Sequence, residues 1–549
     1  MNKSAFSGNL AKYLEKNAKL LPDSYAVLFQ YSPNIKKTFA QLNNDVINCA
    51  TFFRKRGVQK RERSLVLLKP GYNLIVSCFA LLYIGAIPVI IDPGMGLKSL
   101  LNCIKRTNPK NLIAIPIARS LALLFNSSFS SIKTKISVNS KFEETLDNYS
   151  NTEKTEIYDS KDYELAAIVF TSGSTGKPKG VRYLNLNFSA QIEVLKQEFG
   201  ITEGEVDLVT LPIFSLFNPA LGVTSVIPKM NPRKPANASA KKIVDAIQSF
   251  KVTSAFCSPV IGKKVSSYCE DLNIDLPFMK RMMLAGAPST PKLITSLSKR
   301  LPNGKIIVPY GATEALPVSY SYHNQIKNLS NSIIEGGGSN LGIGIKGISI
   351  LIMPIRNSPL PNENEGFIVP IKEKLLTGEI CVAGNVVTDG YDQMPGATRD
   401  ARFVYNSKEY HRMGDLGYWD ENGNLRFMGR KAECIQTANG RIETERYEPF
   451  INSLPGIQKS ALIGIGEGAL REPCLVVVPT KKTKKGFRTT IEKVRSSLLA
   501  KFPEHNINRV FMQKNLPVDA RHNAKIHRLT LGKIWTAKVS KNAKLGLIP

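Results

Sequence analysis

The stretch Ile168-Val-Phe-Thr-Ser-Gly-Ser-Thr-Gly-Lys-Pro-Lys-Gly-Val181 contains the residues from which the rest of the chain can be interpreted. It continues a run of β-forming apolar residues that starts at Leu165 and predicts a buried strand. The next ten residues, Thr171 to Gly180, include three glycines, four hydroxyl side chains and two lysines. Glycine permits backbone conformations in which successive amide N–H groups surround an anion. The stretch therefore predicts a strand that leads into a phosphate-binding loop.

This loop does not follow the P-loop pattern Gly-x4-Gly-Lys-Ser/Thr, because the position that needs the second glycine is Pro178. A flexible Ser/Gly surface linker is the alternative interpretation. Such linkers rarely follow a buried strand directly with paired lysines, so the sequence favours a phosphate loop.

Length and composition indicate a globular protein of two or more domains, with 549 residues, 43% hydrophobic and 21% charged. The eight cysteines are scattered without a CxxC pair, and the five histidines do not cluster with them. We therefore expect neither a zinc site nor a disulfide framework.

The formal net charge of +30 permits a nucleic-acid or anionic-membrane partner. A general abundance of lysine is the alternative, and the even spread of the lysines favours it. An acidic substrate or a membrane-bound lipid pool would also be consistent with this charge.

The N-terminal segment lacks the apolar run of a signal peptide, and we expect a short amphipathic helix there. The apolar segment 74–91 is interrupted by Gly85 and Pro88, which favours a buried helix and strand over a membrane span.

The first 160 residues alternate helix-like and strand-like stretches, which predicts parallel sheets covered by helices. A helix is expected from Thr38 to a stop at Gly57, and a polar surface loop over 139–161. The apolar stretch 208–221 contains two Phe residues, and it can line a hydrophobic ligand pocket or belong to the hydrophobic core.

Two strand ends further along carry candidate ligand contacts. The run Met282-Met-Leu-Ala-Gly-Ala-Pro288 ends in small residues, where a flat ligand can approach the backbone. A strand over 306–308 precedes Tyr310-Gly-Ala-Thr-Glu314, which supplies an aromatic ring, a hydroxyl and a carboxylate. After the segment 411–430 the pattern changes to a compact α+β region of about 120 residues.

Together and in this order, these motifs resemble those of the adenylate-forming superfamily of acyl-CoA synthetases, luciferases and peptide-synthetase adenylation domains. The resemblance covers essentially the whole chain and implies an α/β fold. The expected large N-terminal AMP-binding domain, 1–429, has parallel-rich sheets with helices and a β-rich subdomain. A small mobile α+β C-terminal domain, 430–549, follows. The implied activity is that of an AMP-forming ligase that uses ATP and Mg²⁺.

The resemblance also implies roles for individual residues. The implied nucleotide-binding residues are Thr171, Ser172, Gly173, Ser174, Thr175, Gly176 and Lys179 for the phosphates, Ala285, Gly286, Ala287, Tyr310 and Gly311 around the adenine, and Asp415 and Arg430 for the ribose side. The implied catalytic residues are Thr313 at the α-phosphate, Glu314 as the Mg²⁺ ligand, and Lys525 as the mobile residue that stabilises the adenylation transition state.

Several positions depart from the superfamily pattern. Ala524 replaces the glycine that usually precedes the lysine, and Gln436 stands where lysine is common. The glycine that helps to gate the thioester-forming conformation is displaced by one residue, to Gly440. Phe214-Ser215 stands where many acyl-CoA synthetases have an aromatic residue followed by histidine. These departures affect the CoA half-reaction rather than adenylation.

The stretches 211–228, 429–432 and 517–526 resemble the β-lactone synthetases of bacterial long-chain olefin biosynthesis, although Asn218 stands where we expect Asp. This implies a 2-alkyl-3-hydroxy fatty acid whose own 3-hydroxyl expels AMP and closes a β-lactone. Because this nucleophile is tethered, no thiol tunnel is required. His411 and His522 are the histidines nearest these motifs, and neither is favoured as the base.

The resemblance further implies a cytoplasmic enzyme with thiolase-like, ketoreductase and decarboxylase partners. It implies no nucleic-acid partner and at most peripheral membrane contact. The alternative function is that of a long-chain fatty acyl-CoA ligase or fatty acyl-AMP ligase.

Overall fold

The structure is a computed structural model that describes residues 8–31, 36–171, 178–363, 366, 368–480, 484–505, 507–519 and 525–544. The elements that precede the predicted phosphate loop are α1 (Ala11–Leu20), β1 (Tyr25–Phe29), β2 (Lys36–Thr38), α2 (Phe39–Lys55), β3 (Arg63–Leu67), α3 (Tyr72–Tyr83), β4 (Ile87–Ile90), α4 (Leu97–Thr107), β5 (Asn111–Ala114), α5 (Pro116–Leu124), α6 (Asn126–Phe129), β6 (Thr134–Ser137) and α7 (Phe142–Asp147). This alternation confirms the α/β prediction.

The central part of the chain continues the alternation and then changes to antiparallel strands. Its elements are β7 (Leu165–Thr171), β8 (Lys179–Leu184), α8 (Asn185–Gln197), β9 (Val206–Val209), α9 (Asn218–Leu221), β10 (Thr224–Ile227), α10 (Ala240–Ser249), β11 (Ser254–Cys257), α11 (Pro259–Asp271), β12 (Arg281–Leu284), α12 (Pro291–Ser298), β13 (Lys305–Ala312), β14 (Ala315–Tyr322), α13 (His323–Asn328), α14 (Ser330–Ile334), β15 (Ser339–Gly344), β16 (Ser349–Met353), β17 (Gly378–Ala383), α15 (Pro395–Asp400), β18 (Arg402–Tyr405), β19 (Lys408–Trp419) and β20 (Leu425–Arg430).

The last part of the chain begins with a short 3-10 helix, Lys431–Glu433. It continues with β21 (Ile435–Thr437), β22 (Gly440–Ile442), α16 (Thr444–Ser453), β23 (Ile457–Ile465), β24 (Glu472–Pro479), α17 (Lys484–Lys501), β25 (Arg509–Met512) and α18 (Arg528–Lys544). Strands β23, β24 and β25 form a sheet of their own with its own buried apolar cluster. The domain boundary at residue 430 stays a prediction.

Within the described ranges, two sheets form the larger part of the molecule. One has the order β6-β5-β3-β4-β7-β8, and all neighbouring strands are parallel except β8 beside β7. The other has the order β16-β17-β19-β20-β15-β14-β13-β12-β11-β9-β10-β1-β2, with β18 beside β19. Strands β9 to β13 of this sheet are parallel, whereas β14 to β20 are antiparallel.

Local sequence explains where several elements begin and end. A capping box starts α2, because the Gln41 N–H donates to Thr38 Oγ1 and the Thr38 N–H donates to Gln41 Oε1. Helix α3 is buried on nearly all sides between the sheets, which explains its apolar sequence. None of the described helices is long and apolar enough to cross a bilayer.

The structure corrects two predictions about local structure. The segment 139–161 is not all surface loop, because α7 lies within it and buries Phe142 and Leu146 in the core. Strand β13 extends to Ala312, beyond the predicted end at residue 308, and Tyr310 and Gly311 therefore lie inside a strand. Thr313 and Glu314 are the two residues that connect β13 to β14.

Candidate active site

The predicted phosphate loop connects two strands that are hydrogen-bonded to each other. β7 ends at Thr171, and β8 starts at Lys179 and runs back antiparallel to β7. A Cβ on Gly180 would lie 2.7 Å from Phe170 Cζ, so a larger residue at that position would displace the buried ring. The structure describes the backbone of Thr171. Ser172, Gly173, Ser174, Thr175 and Gly176 lie outside the described residues, and their phosphate contacts stay a prediction.

Backbone hydrogen bonds fix the turn that carries Thr313 and Glu314. The Tyr183 hydroxyl donates to the Thr313 carbonyl oxygen at 2.6 Å. The Thr388 N–H and hydroxyl donate to the Glu314 carbonyl oxygen at 2.9 and 3.1 Å. Both side chains are therefore presented from a rigid turn, as positioning of a metal ligand or a phosphate contact requires.

Tyr391 links Glu314 to Lys179, a connection that the sequence did not reveal. Its hydroxyl donates to Glu314 Oε1 at 2.9 Å, and the Lys179 ammonium lies 4.2 Å from its ring centroid. Tyr391 also lines a cavity of about 470 Å³ together with Arg182, Arg399 and other residues. The predicted phosphate residue Lys179 and the predicted metal ligand Glu314 thus lie on two sides of one tyrosine.

The predicted ribose residue Asp415 is buried and has a partly unsatisfied carboxylate. The Tyr310 hydroxyl donates to Asp415 Oδ2 at 2.8 Å. Asp415 Oδ1 accepts no hydrogen bond among the described residues, and Arg430 Nε lies 3.6 Å from it. Burial raises the pKa of Asp415, whereas the Arg430 charge lowers it. Since buried oxygens normally have a donor, this atom fits a ligand hydroxyl such as that of a ribose.

The predicted adenine edge lies where β12 and β13 end. The Ala285 N–H donates to the Cys257 carbonyl oxygen at 3.0 Å, and Gly286 follows with φ +94°. Gly286 is exposed and Ala287 is partly buried, so a ligand can reach this backbone. A Cβ on Gly311 would lie 2.6 Å from the Ala315 carbonyl oxygen, so the tight β13–β14 turn requires glycine there.

Lys525 is held by a reciprocal pair of hydrogen bonds. Its N–H donates to Asp519 Oδ1, and its carbonyl oxygen accepts from the Asp519 N–H, both at 2.9 Å. Burial and the Arg430 charge lower the pKa of Lys525 to about 8, while Glu433 and Asp415 act in the opposite direction. Lys525 is therefore close enough to the predicted ribose residues Asp415 and Arg430 for their charges to act on its pKa.

The segment after Arg430 is bound on both sides by buried ion pairs. The Lys431 ammonium lies 3.0 Å from both carboxylate oxygens of Glu379, which also accepts from Arg412 Nη2 at 2.7 Å. Two residues later, Glu433 Oε2 accepts from Arg528 Nη1 at 2.7 Å. Lys431 thus contacts the large sheet, whereas Glu433 contacts α18 within the last part of the chain. Nothing local in the sequence indicates Glu379 or Arg528.

The apolar stretch 208–221 lies beside the parallel strands. Phe214 stacks on Phe256 with ring centroids 3.8 Å apart, and Phe217 packs against the same core. Phe214 and Phe217 are only partly buried, which leaves both the pocket and the core interpretation open.

The amide of Asn218 donates to Asp207 Oδ2 at 3.1 Å and to Ser225 Oγ at 2.9 Å. Burial raises the pKa of Asp207 to about 6. An aspartate at position 218 would place two carboxylates in contact. Asn218 in place of the expected Asp therefore avoids repulsion between two buried carboxylates and donates a hydrogen bond to Asp207.

His411 lies close to Glu314 and Tyr391. Its ring centroid is 6.3 Å from that of Tyr391, and burial lowers its pKa to about 4 although the Glu314 charge raises it. His411 is therefore neutral at pH 7 and a weak base. His522 lies outside the described residues.

Comparison with known proteins identifies the family. Residues 14–392 match the family model described as AMP-binding enzyme. The chain is 34% identical to an olefin beta-lactone synthetase of Stenotrophomonas maltophilia, over 89% of each chain. It is 32% identical to an olefin beta-lactone synthetase of Xanthomonas campestris pv. campestris, over 96% of this chain and 98% of that one.

A solved structure has the same fold. The o-succinylbenzoate coenzyme A synthetase of Bacillus subtilis, in complex with ATP and magnesium ion, superposes with a TM-score of 0.74 at 21% identity. The superposition covers 94% of this chain and 98% of that chain. The family match, the two relatives and the superposition agree, and the chain belongs to the AMP-binding enzyme family.

Proposed function

We propose that this protein adenylates a 2-alkyl-3-hydroxy fatty acid with ATP and then closes the acyl adenylate to a β-lactone. The observation that carries this proposal is the identity of 32–34%, over most of the chain, to two olefin beta-lactone synthetases. The meeting of Asp415, Arg430 and Lys525 at one site supports an adenylation step.

In the first step, a carboxylate oxygen of the acid attacks the α-phosphorus of ATP, and pyrophosphate leaves. Negative charge develops on the α-phosphate oxygens, so positive side chains lower the barrier. Lys525 and Arg430 would supply this charge, with Thr313 as a hydrogen-bond donor. The buried, partly unsatisfied carboxylate of Asp415 would hold the ribose hydroxyls. Glu314 would hold Mg²⁺, which neutralises phosphate oxygens when bound.

In the second step, the 3-hydroxyl oxygen of the same substrate attacks the acyl carbon, its proton passes to a base, and the bond to AMP breaks. Because the nucleophile is already attached to the acyl group, no second substrate has to bind. His411 is a poor candidate for the base, since it is buried and burial lowers its pKa to about 4. Gln436 and Gly440, which depart from the thioester-forming pattern, agree with a reaction that needs no thiol.

Residues 430–549 would move as one unit during this cycle. The ion pairs of Lys431 with Glu379 in the large sheet and of Glu433 with Arg528 in α18 support a hinge close to residue 430. We also propose a cytoplasmic location and association with thiolase-like, ketoreductase and decarboxylase enzymes of the same pathway, as the resemblance of the sequence implies.

The test is incubation of the protein with ATP, Mg²⁺ and a racemic 2-alkyl-3-hydroxy acid without CoA. We expect AMP, pyrophosphate and a product lighter than the acid by one water in equal amounts, measured by mass spectrometry. A matched 2-alkyl acid without the 3-hydroxyl should release pyrophosphate but give no lactone. Lys525→Ala should slow pyrophosphate release by orders of magnitude while ATP still binds.

The second candidate function is that of a fatty acyl-CoA or acyl-AMP ligase, motivated by the shared adenylation core. Turnover that requires CoA and yields a thioester would exclude the lactone proposal and support the CoA ligase. Release of the acyl adenylate from the hydroxy acid, without cyclisation, would support the acyl-AMP ligase.

A further inference from the structure

Helix α5 exposes an apolar face to solvent. Ile117, Leu123 and Leu124 are 72%, 74% and 76% exposed, whereas Ala118 and Ala122 on the opposite face are buried. A single exposed leucine is common on protein surfaces. Three large apolar side chains on the outer face of one nine-residue helix form a patch that usually has a binding function. We call these three residues the α5 patch.

The chain around the α5 patch is basic and contains no acid. Residues 93–142 include eight Lys and Arg and no Asp or Glu, although the whole chain has 44 acidic residues. These basic residues are Lys98, Lys105, Arg106, Lys110, Arg119, Lys133, Lys135 and Lys141. Lys98, Lys105, Arg119, Lys133 and Lys141 are exposed. The stretch of chain that contains the apolar patch therefore carries positive charge and no acid.

Helix α5 also begins at the edge of the sheet from which the phosphate loop emerges. β4 and β5 are each parallel to β3, and β7 is parallel to β4, so the carboxyl ends of these four strands lie at one edge of the sheet. α5 follows β5 at this edge, and the phosphate loop follows β7. Because β3 and β4 lie between β5 and β7, the two strand ends are about 14 Å apart.

We propose that the α5 patch and the basic side chains around it dock this protein on a lipid bilayer with anionic headgroups. A bilayer accepts a few apolar side chains at the level of the headgroups, and the lipid phosphates attract each nearby Lys or Arg. A protein partner of ordinary affinity needs a larger and more mixed surface than one short helix with charges of a single sign. The bilayer therefore fits the size and the charge of this surface.

This docking gives the chain access to a lipid-dissolved substrate, a consequence that rests on the proposed function. A long-chain 2-alkyl-3-hydroxy acid partitions into a bilayer because each buried CH₂ group favours the lipid phase. Docking through α5 would place the carboxyl edge of the six-stranded sheet, and so the phosphate loop, near the headgroups. The acid's carboxylate lies at the same depth.

The test uses the full chain and vesicles. Sedimentation should recover the protein with phosphatidylcholine vesicles that contain about 30% phosphatidylglycerol, and much less of it with phosphatidylcholine alone. The variant Ile117→Ser/Leu123→Ser/Leu124→Ser should lower the vesicle partition coefficient at least about tenfold. The matched control Leu272→Ser/Leu470→Ser/Leu499→Ser, which changes three exposed leucines elsewhere, should stay within about twofold.

A second variant separates charge from apolar insertion. Lys98→Gln/Lys105→Gln/Arg119→Gln should weaken binding to anionic vesicles, and about 0.5 M salt should weaken wild-type binding in the same way. Pyrophosphate release with a short, water-soluble acid should be unchanged in every variant, which establishes that the variants fold. The proposal is wrong if wild type does not bind anionic vesicles, or if the α5 variant binds them as well as the control.

Loss of a protein partner by the α5 variant, with vesicle binding intact, would also refute the lipid proposal. Failure of lactone formation by the wild type would refute the proposed function but would not change the result of the vesicle-binding assay. Failure of the proposed function and failure of the lipid proposal are therefore distinguishable.

Discussion

Arg528 is the residue whose removal should most directly destabilise the last part of the chain, which carries Lys525. Its guanidinium donates to Glu448 Oε1 and Oε2 at 2.8 and 2.6 Å and to Glu433 Oε2 at 2.7 Å. All three side chains are buried, with 13%, 6% and 3% exposure for Arg528, Glu448 and Glu433. The change to test is Arg528→Ala.

The expected magnitude follows from the burial. Removing Arg528 leaves two buried carboxylates without a counterion, which costs about 3–5 kcal/mol of unfolding free energy. The ion pair of Arg509 with Glu472 is more than a third exposed on both sides, and Arg509→Ala should cost only about 0.2–1 kcal/mol. Both arginines pair with glutamates of the same region, so Arg509→Ala is a matched control for the loss of an arginine.

The pH dependence has a definite sign. Burial and the Glu448 charge raise the pKa of the buried Glu445 to about 7, whereas the Arg528 charge acts in the opposite direction. Without Arg528, the folded-state pKa of Glu445 should rise further above the unfolded value. The folded state would bind more protons than the unfolded state, so the stability of Arg528→Ala should fall as pH rises. Acidification towards pH 5 should recover part of the loss relative to wild type.

Tryptophan fluorescence measures this effect locally. Of the two tryptophans, Trp535 stacks on Phe511 of β25 at a centroid distance of 4.1 Å, and Trp419 lies in the large sheet. In a Trp419→Phe background, urea unfolding followed at Trp535 reports on the last part of the chain. Pyrophosphate release should fall as well, because Lys525 is three residues from Arg528.

If Arg528→Ala loses less than about 1 kcal/mol, or no more than Arg509→Ala, the buried ion pairs do not hold this region. A loss of stability that is the same at pH 5 and pH 8 would likewise contradict the role assigned to Glu445.

Three further changes have expected outcomes. Asp415→Asn should weaken ATP binding by about ten- to hundredfold in calorimetry, since a charge-assisted hydrogen bond contributes about 1.5–3 kcal/mol; equal affinity would exclude the ribose role. Asn218→Asp should destabilise the fold by several kcal/mol at pH 7.5, with recovery near pH 5, because it faces Asp207; a urea midpoint independent of pH would contradict this. The pyrophosphate release rate should fall as pH rises through about 8, where Lys525 loses its charge, and Lys525→Arg should abolish that fall; an unchanged pH profile in Lys525→Arg would assign it to another group.

Local sequence accounts for much of the fold and part of the site. The capping box at Thr38, the strand before Thr171 and the turn at 420–423 each depend on neighbours along the chain. The same turn places Asp415 opposite Arg430 in the β19–β20 pair, so their proximity follows from local structure. The roles of the candidate site residues could be predicted only from the joint occurrence of the motifs, because no single motif specifies adenylation.

Contacts between distant segments could not be predicted in this way. Tyr391 reaches Glu314 across 77 residues, and Arg528 reaches Glu433 across 95. Buried ion pairs such as that of Lys431 with Glu379 form only when folding brings both charges out of water together. The sequence shows a lysine and a glutamate 52 positions apart, which is also the pattern of two solvated side chains.

Patterns in the sequence predict most of the strands and helices, the loop after β7 and the set of candidate site residues. Which of these residues meet depends on contacts between distant segments of the chain. β13 and β19 are separated by three strands in the sheet, about 19 Å if it were flat, yet the Tyr310 hydroxyl lies 2.8 Å from Asp415. The antiparallel half of the sheet curls around its own apolar core, which includes Leu341, Ile380 and Leu425. Burial of that core, rather than any local pattern, brings together Tyr310 and Asp415, the predicted adenine and ribose residues.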